Sequence, residues 1–370
     1  MREKGVGVFF RARPQRRWTC PIRPLTDTET DSLPLLVGLR ERVNQARATS
    51  RGLAMGFFAS DLVLFGAITT WLKPLWAVAA GAVGVLAALV ILGLALRLVA
   101  PKVAAIARTT TKEALGQPLF YVLLVIGVFA LLIFPFVPYN TFGEDVKMVK
   151  AEGLTLIKVL AIALALWTAS LSVAEEIEGK TALTLLSKPI RRWQLLLGKF
   201  LGILVPVAII FVILGSVFLG SISFKTVYDA RETAQPEPTS AQCMDEMIQI
   251  TPGLALAFLE AVVLTSVSVA ISTRLPMLAN LMICASIYVL GHLVPMLVNS
   301  AVGRFEIVGF VGRLLSAVLP VLDHFSIETA ISTGQAVPAA YLVWATVYAL
   351  VYSTVAMLVG LLMFEDRDLA

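Results

Sequence analysis

Two groups of residues in this sequence carry chemistry worth weighing. The first is a run of acids, Glu175, Glu176 and Glu178, followed by Gly179 and Thr181, then by Leu185, Leu186 and Pro189. Acids suit the start of a helix, where the macrodipole is positive. Glu176 and Lys180 are spaced i, i+4 for a supporting pair, and Ala182, Leu185 and Leu186 share one face. Pro189 disfavours helical geometry at Lys188, so the helix is expected to stop at Ser187-Lys188-Pro189. This describes a short amphipathic helix. It serves either as an ordinary loop that satisfies topology or as an element that docks on a partner, and the residues alone leave both open.

The second group is ionisable side chains inside apolar runs: Asp61, Lys158, Glu260 and His292. Such residues are functional candidates because a charge in hydrocarbon is costly. Lys158 is expected close enough to the outer end of its run to snorkel. His292 is expected to pack as a neutral ring, and Asp61 to occupy a wetter hairpin. Glu260 falls near mid-run. It is the candidate for a polar lining of a pathway, or for a structural hydrogen bond to a neighbouring helix.

Several other chemistries are excluded. Gly179-Lys180-Thr181 invites a phosphate-loop reading, but that loop needs a glycine five positions before Gly179, and Ala174 stands there. No catalytic nucleophile–base set appears, so an enzyme is not expected. Cys20, Cys243 and Cys284, with His292 and His324, give no disulfide framework and no metal-type spacing. The net charge of +5 does not suggest nucleic acid, because the basic residues fall in short stretches between apolar runs.

The elements that hold these residues are membrane helices. The chain is 58% hydrophobic and only 15% charged, where soluble domains are about a quarter charged. A run of about 18 or more apolar residues is long enough to cross a bilayer as a helix, and in lipid only internally bonded backbone survives. The expected spans are Leu53–Leu72, Leu75–Leu98, Leu119–Val137, Leu154–Val173, Phe200–Ile222, Leu254–Ser272, Leu275–Val298 and Ala340–Met363. The fold class is therefore an all-α polytopic membrane bundle of about eight helices. Residues 1–52 read as a cytoplasmic, mostly disordered tail with no signal-peptide run. Residues 53–100 read as a hairpin, and 101–118 as an interfacial helix lying on the membrane surface. Phe224–Thr251 reads as a polar outer loop, exposing Cys243. Glu306–Leu322 carries Arg313 and Pro320 and reads as re-entrant or interfacial. The Lys and Arg residues are densest in the tail and in the loops that share its side. The positive-inside rule thus puts both termini in the cytoplasm.

The segment Ala174–Phe200 resembles the signature of type-2 ABC exporter permeases, the ABC-2 family. It carries an acidic start followed by Gly179 and Thr181, then Leu185-Leu186-Ser187 with Pro189, Ile190 and Arg192, and then Gly198-Lys199 at the membrane entry. Lys180, between Gly179 and Thr181, departs from the pattern. The ending Phe364–Leu369 is also similar to that of these permeases. The resemblance spans about 101–370. It implies a six-span core with an elbow helix at 101–118 and a coupling helix at 174–189, to which the hairpin 53–100 is additional. It also implies a separate cytoplasmic ABC ATPase that binds the ATP, so the chain itself needs no cofactor. A second permease copy or a similar chain, and membrane lipids, complete the partners, in a prokaryotic plasma membrane. The rival readings are an ion-coupled secondary transporter using Glu260 or Asp61, and an assembly factor that transports nothing.

Overall fold

The computed structural model describes residues 70–137, 139, 144–178, 191–299 and 306–365. The chain divides into units 1–62 and 63–370, and all described residues belong to the second. Ten α-helices are described, and no strand occurs among the described residues. They are α1 Leu75–Val99, α2 Pro101–Gly116, α3 Pro118–Ile133, α4 Asp145–Glu178, α5 Arg192–Glu232, α6 Ser240–Ser272, α7 Met277–Asn299, α8 Glu306–Val318, α9 Glu328–Thr333 and α10 Ala339–Glu365. Seven stretches are long and apolar enough to cross a membrane: Thr70–Val99, Pro118–Phe136, Asp145–Ser172, Arg192–Glu232, Ser240–Ser272, Met277–Val294 and Ala339–Phe364. They coincide with seven of the eight expected spans. The expected tail and the span Leu53–Leu72, apart from its last three residues, lie outside the described residues.

Prolines set the first corners. Ala100 precedes Pro101 and leaves helical geometry (φ −138°, ψ 74°), while Gln117 precedes Pro118 and is extended (φ −73°, ψ 135°). In both cases the proline disfavours helix at the residue before it and then opens the next helix, where its missing N–H costs nothing.

The core is built on α5 and α6. α4 packs against both, α10 packs on α6, and α2 packs on α5. α1 buries none of its residues fully and is apolar along its length, as suits a helix in lipid, with one side packed against α5 and α2. The stripe Val103, Ala104, Ala107, Thr110 and Ala114 of α2 is buried, while Lys102, Arg108, Lys112 and Glu113 are exposed. That stripe meets protein rather than lipid. A Cβ on Gly198 would come within 2.7 Å of Ile106, and one on Gly202 within 2.7 Å of the Ala107 carbonyl oxygen. Thr111 Oγ1 donates to the Gly202 carbonyl at 2.9 Å. Gly202→Val is expected to lower stability by about 1–3 kcal/mol, because the backbone of α2 blocks the new side chain. An unchanged unfolding midpoint in mixed micelles would contradict this seating of α2 on α5.

Three expectations from sequence need correction. Phe224–Thr251 is not a loop. α5 runs on to Glu232 and α6 starts at Ser240, leaving only a short connection. The polar residues there make contacts between helices, so low hydropathy did not end either helix. Cys243 is consequently buried, as is Cys284. Both thiols should react slowly with a thiol reagent until the protein unfolds, and rapid modification of Cys243 in the folded protein would contradict this. Finally, Glu175, Glu176 and Glu178 do not start a short helix. They close α4, which continues past Val173, so the acids fall at the negative end of the macrodipole. α8 is far too short to span a bilayer, packs on α7, and fits the re-entrant or interfacial alternative.

Candidate functional site

The expected coupling residues fall where α4 ends and α5 begins. Glu175, Glu176 and Glu178 lie on the last turn of α4. Gly179, Thr181, Leu185, Leu186 and Pro189 lie outside the described residues, as does Asp61. The next described residue is Arg191, whose backbone N–H donates to Gln194 Oε1 at 3.2 Å and caps α5.

A polar layer braces this end of the bundle. Lys199 Nζ donates to the Ser172 carbonyl at 3.1 Å and to Ser172 Oγ at 2.8 Å. Asn280 Nδ2 donates to Ser170 Oγ at 2.8 Å and to Ser268 Oγ at 3.0 Å, and Cys284 Sγ donates to Asn280 Oδ1 at 3.2 Å. Two arginines hold the end of α10. Arg192 Nη1 donates to the Phe364 carbonyl at 3.0 Å and lies over the Phe364 ring, and Arg274 Nε donates to the Met363 carbonyl at 2.8 Å. Cations at a helix C-terminus satisfy its last carbonyls and complement its dipole.

Midway along α4, α6 and α7 lies the second site. Glu260 is wholly buried. Its Oε2 is 3.4 Å from Lys158 Nζ, and its Oε1 is 3.4 Å from His292 Nε2. Lys158 Nζ is 3.5 Å from the same His292 nitrogen. His292 Nδ1 faces the Tyr288 carbonyl at 3.1 Å. A carbonyl only accepts, so Nδ1 carries hydrogen. Among the described residues, neither Glu260 oxygen has a partner in hydrogen-bond geometry. The cluster is held by charge at close range, which is strong where the dielectric is low.

Lys158 does not snorkel. α4 begins at Asp145 rather than at Leu154, so Lys158 stands about 20 Å along the helix from Asp145 and a similar distance from Ser172. His292 is not a bystander either, because it completes the cluster. One cue was present in the sequence: an acid, a base and a histidine, each inside an apolar run, need partners in hydrocarbon.

At the opposite end from the polar layer, charges also pair across helices. Lys150 of α4 pairs with Glu246 of α6. Lys225 of α5 is buried, pairs with Asp145 at 3.2 Å, and lies over the Tyr228 ring. Asp145, Asp229 and Glu232 bring carboxylate oxygens within 4.8 Å of one another. Lys225 Nζ, 3.8 Å from Glu232, already supplies a cation to this group.

Residues 130–369 match a family model described as ABC-2 family transporter protein. No curated protein matches the sequence. The matched region takes in the connection between α4 and α5, the buried Lys158–Glu260–His292 cluster and the last helix.

Proposed function

Since this chain belongs to the ABC-2 transporter family and is thereby a membrane-spanning permease of an ABC transporter, we propose that it is driven by a separate cytoplasmic ATPase docked at 174–189. The observation that carries this is the family match, which encloses the segment between α4 and α5. The geometry around that segment supports it. Acids close α4, and the helices on both sides of the segment are braced by buried polar contacts, so a push on the segment meets a stiff bundle.

In this reading Glu175, Glu176, Glu178, Gly179, Thr181, Leu185, Leu186 and Pro189 form the ATPase contact. Leu185 and Leu186 anchor in a groove of the partner, while the acids steer and orient it. The partner binds and hydrolyses ATP, and this chain supplies the path and the lever. The elbow is α2, and the six-span core is 101–370, to which the hairpin 53–100 is additional. Both termini and the coupling segment face the cytoplasm of a prokaryotic cell. Transport runs outward, and a second permease chain completes the pathway. ATP-driven closure of the ATPases shifts the population between inward-open and outward-open states. Glu260 and Asp61 are the polar residues assigned to the pathway. The Lys158–Glu260–His292 cluster supports the assignment for Glu260, because it gathers ionisable groups from three helices at mid-depth.

Affinity purification from native membranes in mild detergent tests the reading. The expected result is co-purification of an ATPase bearing Walker motifs, in proportion to the permease. A chain that purifies without one, while ATP leaves its conformation unchanged, would contradict it.

A further inference from the structure

We propose that Lys199 is a positioning residue that passes movement of the end of α4 into α5 and α2. The inference rests on the segment between α4 and α5 being the ATPase contact.

Lys199 is only 4% exposed, although it lies in the second turn of α5. Its ammonium donates twice to Ser172, once to the carbonyl and once to the hydroxyl. Ser172 and Lys199 belong to opposite limbs of the connection, and the whole coupling segment runs between them. The bond therefore ties the helix that leads into the segment to the helix that leaves it. An ammonium removed from water is costly unless hydrogen-bonded. A methionine would fill the same space without that cost, so the lysine does more than fill space. Hydrogen bonds from a charged donor are directional and about twice as strong as neutral ones.

Its neighbours extend the route. Gly198 and Gly202 on either side of Lys199 seat α2 so closely that a Cβ at either position would collide with it. On α4, one turn holds both acceptors of the layer. Ser172 takes Lys199, and Ser170 takes Asn280, which also reaches Ser268. A shift of the end of α4 is thus passed through Lys199 to α5 and α2, while Asn280 carries it to α6 and α7.

The test uses the ATPase complex reconstituted in vesicles. Cys20 is replaced by Ser, and spin labels are placed on cysteines at the exposed positions Arg108 of α2 and Ser286 of α7. In the parent, ATP changes the distance between the labels. Lys199→Met should retain the ATPase and its basal hydrolysis but slow or diminish the ATP-driven change by about tenfold or more, the scale of a lost charged hydrogen bond. Lys199→Arg should restore most of it, which a purely space-filling role would not predict. Ser172→Ala removes only the hydroxyl acceptor and should give a smaller loss, about threefold; it also serves if Lys199→Met fails to fold. Parent-like movement in Lys199→Met, or in Ser172→Ala when the lysine variant does not fold, overturns the proposal. If ATP moves nothing even in the parent, the ATPase-contact reading fails, and this inference falls with it.

Discussion

Lys158→Met lowers the stability of the purified protein by about 3–5 kcal/mol, the scale for breaking a buried ion pair by removing one partner. Most of this loss arises from what remains rather than from the missing attraction. Glu260 is wholly buried, with Lys158 as its close charged neighbour but no aligned hydrogen bond among the described residues. Without Lys158 the carboxylate keeps, among the described residues, only the His292 ring, which is 29% exposed at its side chain and already engaged with Tyr288. Glu260→Gln alone leaves the buried lysine without its counter-charge. The double variant Lys158→Met with Glu260→Gln removes both charges and recovers much of the stability, because no uncompensated ion is left. Unfolding in mixed micelles across this double-mutant cycle measures the coupling directly. Additive losses in the double variant would mean that the two residues do not form a pair in the folded protein. For function, Glu260→Gln should reduce substrate-stimulated hydrolysis more than basal hydrolysis if Glu260 lines the pathway.

Replacing Leu185 and Leu186 with Ser is expected to weaken the hold on the ATPase by about 2–4 kcal/mol, as for interface hot spots. That corresponds to a loss of roughly 30- to 1,000-fold in affinity. Changing Glu175, Glu176 and Glu178 to Lys should weaken it too, more at low salt than at high salt, because solvent-exposed charges are screened. Neither change enters an apolar run, so insertion and yield should stay near normal. Glu237→Lys is a suitable control. Glu237 pairs with Arg231 at the other end of the bundle, and both are well exposed, so its loss costs little. Glu232 is a poorer control, because it lies within reach of the buried Lys225.

The spans were legible because a bilayer leaves apolar runs few alternatives. Seven of the eight expected spans are described as helices at nearly the expected positions. Helix ends were not legible. Hydropathy falls at Phe224–Thr251, yet helix continues there because Lys225 and Glu246 find partners on α4. The same blindness misplaced Lys158, whose depth depends on where α4 begins. Glu260 stood out as an intramembrane acid, but its partners lie on two other helices, and one sequence carries no record of which helices touch. The seating of α2 on Gly198 and Gly202 was also hidden. Glycine in a helix is visible, but the backbone that approaches it is not. Glu175, Glu176 and Glu178 were expected to open a short helix, and they close a long one instead.

The central claim is that force enters this chain through the segment between α4 and α5. The measurement that tests it most directly is the amount of ATPase retained by three preparations purified side by side: the parent, Leu185→Ser with Leu186→Ser, and Glu237→Lys. The account predicts ATPase with the parent and with Glu237→Lys, and little or none with the leucine variant at equal permease yield. Equal ATPase in all three, with ATP hydrolysis still driving the conformational change, would contradict it.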